Sequence, residues 1–207
     1  MLSFEQMITL ATVATIVLIA TIGISLHALF NDQQLLFRMM LHPYSVFRNK
    51  QYELLFTHGF VHADIAHLAF NMITFYFFGI ALEIYVGHFG FIIVYFGSML
   101  ISALVTSVQR QNNEAHRSLG ASGAVSGALL GFILFQPKAS LYMFFIPIPI
   151  PAWFFAIAYI GYSYYASRNQ RSMIDHEAHL WGTVAGIVFT LLMRPEALRI
   201  FMNQMFG

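Results

Sequence analysis

The stretch SLGASGAVSGALLGF, residues 118–132, sets a serine between glycines at the start of an apolar run, directly after the polar segment QRQNNEAHRS. Gly123, Gly127 and Gly131 recur every four residues, which on a helix makes one smooth face that a second backbone can approach. Gly182 and Gly186 repeat the spacing, so Gly127, Gly182 and Gly186 are expected to pack the fourth apolar segment against the sixth. That packing belongs to a membrane: 58% of the 207 residues are hydrophobic, only 9% are charged, and the mean hydropathy is +0.68. A net charge of +1 gives no basic face for nucleic acid. With no cysteine, disulfides and thiolate zinc sites are excluded, and any chemistry must use Ser, His, Asn, Asp or Glu.

Working outward from residue 122, apolar segments fall at Met7–Phe30, Ala66–Leu82, Phe89–Val108, Ser122–Phe135, Ala152–Tyr165 and Leu180–Met193. Six such segments predict an all-α membrane protein, a six-transmembrane-helix bundle forming one polytopic domain over residues 1–207. The first segment lacks the basic flank and small-residue cleavage site of a signal peptide and is expected to be a retained helix at about 7–30. In IPIPIP, Pro147, Pro149 and Pro151 remove every second N–H, so the fifth helix is expected to begin near Pro151 or Ala152, with LYMFF before it at the interface. Residues 31–61 mix charge with aromatics and read as a structured loop on the membrane.

Helices two, four and six would cross the bilayer in the same direction, so depth can be compared. Ser122 lies 14 residues before Gln136, His179 15 before Arg194, and His67 16 before Glu83. At about 1.5 Å per residue, Ser122 and His179 both sit roughly 21–23 Å from one boundary of a core ~30 Å thick, and His67 shares the level. His67 and Asn71 are spaced i, i+4 and project from one helix face. Polar side chains at such depth must face the bundle interior or a watered cavity. On its own Ser122 reads as a packing residue; beside a histidine at equal depth it reads as a nucleophile whose proton that histidine can take. No Asp or Glu stands at that level, although Asp175 and Glu177 precede His179. The start of helix four offers backbone N–H groups and a favourable dipole end, with Gly120 and Gly123 permitting the turn at the nucleophile and the approach of a peptide.

GASG at 120–123, HADIAHLAFN at 62–71, Glu83 at the end of helix two, and AHLWGTVAG at 178–186 occur in this order across six spans. In this the chain resembles the rhomboid family of intramembrane serine proteases, over a core of about residues 45–195. The resemblance implies a rhomboid-like bundle and a hydrolase with a Ser122–His179 dyad. It also implies that His67 and Asn71 stabilise the oxyanion, and that the substrates are single-pass transmembrane proteins cleaved within the lipid bilayer. Two departures are visible: Gln51-Tyr52-Glu53 stands where many relatives carry Trp-Arg, and Ser126 stands where some members place a tyrosine that stacks on the histidine.

No cofactor and no metal is expected. HGFVH has Gly59 where a zincin needs Glu, and DHEAH leaves only two residues between His176 and His179. A transporter using His67 and His179 as proton relays would call for an inverted repeat that the sequence lacks. The non-enzymatic alternative is a catalytically silent relative that binds client helices; such relatives typically lose the Ser or the His, and both are present here. The family implies a multi-pass cell-membrane protein, as in a prokaryotic inner membrane, opening to the non-cytosolic side. The basic residues point the other way, with Arg38, Arg48, Lys50, Arg110, Arg117, Arg168 and Arg171 on the active-site side against Lys138, Arg194 and Arg199 opposite.

Overall fold

A computed structural model describes residues 9–143, 146–168 and 176–207. The expected start of the first segment at Met7, the two phenylalanines of LYMFF, Arg171 and Asp175 lie outside these residues. The described chain runs α1 (Thr12–Phe30), α2 (Gln33–Met39), α3 (Pro43–Arg48), α4 (Leu54–Thr57), a 3₁₀ turn (His58–Phe60), α5 (Ile65–Arg110), α6 (Ser122–Phe135), β1 (Ser140–Met143), β2 (Ile146–Pro151), α7 (Ala152–Arg168), α8 (His176–Met193) and α9 (Glu196–Phe206). Of these, α1 and α5 are long and apolar enough on their own to cross a membrane.

The 46-residue α5 contains two of the expected segments. Gly87 breaks it with φ 76° and ψ 169°, a backbone that a side chain would strain. The partners of the two arms show that the chain reverses there. In the first arm, 65–86, His67 lies beside Gly120 and Leu82 beside Gly131; in the second, 88–110, Ser102 meets Gly123 and Ser98 meets Gly127. Gly182 abuts Gly123 and Gly186 abuts Gly127. The first arm of α5, α6 and α8 therefore share one direction, opposed by the second arm, so the starts of the first three lie at one end of the molecule.

Side chains from distant parts of the sequence fix the two ends. At the far end the buried Glu83 carboxylate accepts from the N–H groups of Val13 (3.0 Å) and Ala14 (2.6 Å), satisfying two donors in the first turn of α1, and His88 Nδ1 lies 2.5 Å from the same carboxylate. Glu83→Ala would orphan both N–H groups beside a fully buried position. A loss of about 3 kcal/mol is expected, read as a lower denaturation midpoint, with Glu83→Gln intermediate; a midpoint unchanged in Glu83→Ala would remove this cap from the account.

At the other end, the structured loop expected over residues 31–61 is built from the short helices α2, α3 and α4 and the 3₁₀ turn. The Asp32 carboxylate caps α2 by accepting from Leu35 N–H at 3.0 Å, and Pro43 occupies the first turn of α3. Leu41 and Ser118 exchange backbone hydrogen bonds of 2.8 and 3.0 Å, clamping this segment onto the approach to α6.

The all-α expectation needs correction among the described residues, because β1 and β2 pair as antiparallel strands, with Ser140 opposite Pro151 and Leu141 opposite Ile150. Alternating Ile and Pro cannot form a helix, and an edge strand tolerates the missing N–H groups. The fifth apolar helix, α7, begins at Ala152 as expected. The amphipathic α9 was not anticipated; it packs beside α6, where Gln204 donates to the Phe135 carbonyl at 2.9 Å. Large apolar side chains such as Ile16, Ile19, Phe89, Ile157 and Leu192 stay exposed around the outside, the surface that hydrocarbon rather than water would solvate.

Candidate active site

Ser122 is the first residue of α6, and no side chain caps that helix. The turn into it depends on Gly120, whose φ is +106° and whose missing Cβ leaves room for the His67 ring; an added Cβ would stand 2.7 Å from its Cε1 atom. The Gly120 N–H is taken by the His58 carbonyl at 2.9 Å, and the Ala121 N–H donates to His62 Nε2 at 3.3 Å. The N–H groups of the first helical turn, starting with that of Ser122, have no intrahelical acceptor and lie where negative charge is favoured.

His62 was noted in the sequence only as part of a motif; the structure gives it a task. Its Nε2 accepts from Ala121, so Nδ1 carries the proton and donates to Ser25 Oγ at 2.9 Å, while Ser25 itself donates to the Phe60 carbonyl at 2.8 Å. The ring thus ties α1 to the entry of α6. It also lies edge-on to His67, with centroids 5.0 Å apart. Burial, reinforced by the neighbouring His67, pushes the His62 imidazole down to about 3. In the unfolded chain the same ring charges below pH ~6.5, so between these limits the unfolded state binds the extra proton and acid drains stability. Melting temperature is expected to fall as pH drops through this window, and His62→Gln, less stable at neutral pH, should show a shallower acid slope. Equal slopes would contradict the assignment.

A cavity of about 1880 Å³ opens at this end and runs between the first arm of α5, α6 and α7. His67, Asn71, Gly120, Ser122, Gly123 and His179 all line it, together with Ser126 and Tyr159. Asn71 is buried and donates through Nδ2 to the His67 carbonyl at 3.0 Å, leaving its second amide hydrogen for another acceptor. Asp64, Arg110, Arg117 and Glu177 lie among the lining residues with phenylalanines such as Phe77 and Phe132, so the cavity joins a polar mouth to an apolar interior.

The glycines set the spacing of the two helices that carry Ser122 and His179. An added Cβ at Gly182 would overlap the Gly123 carbonyl, and one at Gly186 would overlap Gly127. Backbone contact there puts His179, three residues before Gly182, beside the start of α6. The same glycine face of α6 receives the second arm of α5, with Ser102 against Gly123 and Ser98 against Gly127. His58 and His62, considered above for metal spacing, do not form a metal site: both His62 nitrogens are engaged.

The chain is mostly helical, and its cavity sits at the starts of three parallel helices. Residues 49–196 match the family model described as the Rhomboid domain, and the chain belongs to the rhomboid family. It is 30% identical over 185 residues to RHOMBOID-like protein 12, mitochondrial, of Arabidopsis thaliana, covering 82% of this chain and 54% of that protein. Against Rhomboid protein 1, mitochondrial, of Saccharomyces cerevisiae it is 29% identical over 134 residues, 63% of this chain and 39% of that one. Against Rhomboid protease GluP of Bacillus subtilis it is 29% identical over 126 residues, 61% of this chain and 23% of that one. The alignments thus span about half or less of the length of these relatives.

Proposed function

We propose that the protein is an intramembrane serine endopeptidase that cleaves single-pass transmembrane proteins through a Ser122–His179 dyad. The observation that carries this reading is the shared cavity, lined by Ser122, His179, His67 and Asn71 from three parallel helices. Six spans follow if α1, the two arms of α5 counted separately, α6, α7 and α8 all cross. The protein then sits in the cell membrane as a multi-pass bundle, with its cavity open to the non-cytosolic side as in the family.

In this mechanism His179 takes the Ser122 hydroxyl proton as Oγ attacks the scissile carbonyl carbon. The resulting oxyanion is met by N–H groups at the start of α6, by the spare Asn71 amide hydrogen and by His67. The C–N bond breaks as His179 passes its proton to the leaving amine. A water entering through the polar mouth then attacks the acyl-enzyme, giving one proton to His179, which returns it to Ser122 Oγ as the acid leaves. Retention of both Ser122 and His179 favours this reading over a silent client-binding relative.

The test is incubation of the purified protein in liposomes with several single-pass reporters. Cleavage within or beside the reporter helix, insensitive to chelators, is expected; inhibition by EDTA that zinc reverses would overturn the serine mechanism. Asn71→Ala separates oxyanion stabilisation from packing. Its kcat is expected to fall by up to ~10²-fold with little change in KM, whereas full kcat with a lower melting temperature would make Asn71 interhelical glue.

A further inference from the structure

Helix α8 is 18 residues long and rises roughly 27 Å at about 1.5 Å per residue, so a chain that enters the hydrocarbon where α8 starts leaves it close to Met193. Pro195 then separates α8 from α9. With 11 residues, α9 rises only about 16 Å and is too short to cross. It lies at the end of the molecule that holds Glu83, away from the cavity mouth. Gln204 of α9 donates to the Phe135 carbonyl at the close of α6, and a Cβ added at Gly87 would stand 3.9 Å from Arg194 Nη2. These contacts set α9 at the membrane boundary.

The helix presents three kinds of surface. Ala197, Ile200 and Gln204 turn toward the bundle: Ala197 is fully buried and Ile200 packs against the same core. Leu198, Met202 and Phe206, spaced i, i+4, i+8, make an apolar row that is 52%, 47% and 75% exposed. Glu196, Arg199 and Asn203, spaced i, i+3, i+7, make an exposed polar row. A helix on a water-soluble protein needs one apolar and one polar face, whereas a helix at a membrane boundary meets protein, hydrocarbon and water at once.

The charge beside the apolar row identifies its occupant. Arg199 stands three residues before Met202 and so borders that row. Lys138, also exposed, follows Phe135 by three residues, which puts it at the same end. Of the acids there, Glu83 is buried in the cap of α1 and Glu196 pairs with Arg194 at 3.7 Å. Arg199 and Lys138 thus supply the positive charge that a headgroup would meet. We infer that α9 is a lipid-binding helix of the membrane interface: Leu198, Met202 and Phe206 enter the acyl chains, and Arg199 with Lys138 holds the headgroups of anionic phospholipid. The inference rests on the membrane setting of the family and is independent of the Ser122–His179 dyad.

The chain has no cysteine, so Met202→Cys and Asn203→Cys each place a single bimane fluorophore, on the apolar and the polar row of the full protein in vesicles. The quenchers are doxyl-labelled phosphatidylglycerol, doxyl-labelled phosphatidylcholine at the same mole fraction, and acrylamide in the water. At position 202 strong quenching by lipid and weak quenching by acrylamide are expected, with the reverse at 203. Phosphatidylglycerol should quench the 202 label ~2–5-fold more than phosphatidylcholine at low salt. That excess should shrink at about 1 M salt and in the double variant Arg199→Gln/Lys138→Gln, whose contrast between 202 and 203 is retained. If Met202→Cys does not fold, Leu198→Cys reads the same row. Similar lipid quenching at 202 and 203, or protection of 202 from both lipid and acrylamide, as when a second copy of the chain covers it, would overturn the inference. So would equal quenching by the two lipids, or an excess that survives Arg199→Gln/Lys138→Gln. Protein that seats α9 in this way yet cleaves no reporter would defeat the proteolytic reading alone.

Discussion

Ser122→Ala is expected to abolish cleavage of every reporter while leaving the melting temperature of the protein near that of the wild type. The hydroxyl is the only group in the cavity proposed to form a covalent bond to substrate, and its loss in other serine hydrolases lowers kcat by about 10⁶-fold. Structurally the change is mild. Ser122 begins α6, alanine is the best helix former, and the neighbouring backbone contact with α8 is made by Gly123. Folded Ser122→Ala protein that still cleaves at the wild-type rate would show that Ser122 is only a small residue at a crowded helix start.

Gly182→Val should destroy both fold and activity for one reason. A Cβ at Gly182 overlaps the Gly123 carbonyl, and backbone on both sides cannot swing away as a flexible side chain would. The helices must separate, at a cost expected to exceed the ~1–3 kcal/mol usual for overpacking. Separation also carries His179 away from Ser122, so the residual folded fraction should label slowly with fluorophosphonate. Gly23 and Gly161 provide the control, because nothing lies within 4 Å of a Cβ added at either. Alanine at those helical positions should be neutral or stabilising by about 0.5–1 kcal/mol. Equal melting temperatures for Gly182→Val and Gly161→Ala would contradict the close contact between α6 and α8.

Much of this arrangement was legible in the sequence because it is governed by length and period. The common depth of Ser122 and His179 follows from counting residues to the far boundary, and the prolines of IPIPIP fix where α7 can begin. The pairing of Gly123 with Gly182 and Gly127 with Gly186 has its signal in the matching four-residue spacing. The roles that were missed depend on partners far apart in sequence. Nothing near Glu83 shows that its carboxylate caps α1, some 70 residues away, and nothing near His62 announces Ser25. The strand pair β1–β2 and the amphipathic α9 have a weaker signal, because long apolar runs mark neither short strands nor amphipathic helices.

The most direct test of the central claim is to treat the purified protein with a fluorophosphonate and locate the adduct by mass spectrometry, comparing the wild type with His179→Ala. The account predicts a single adduct on Ser122 in the wild type, formed far more slowly in His179→Ala because no base then takes the hydroxyl proton. An adduct on another serine, or labelling of Ser122 at the same rate without His179, would contradict the dyad.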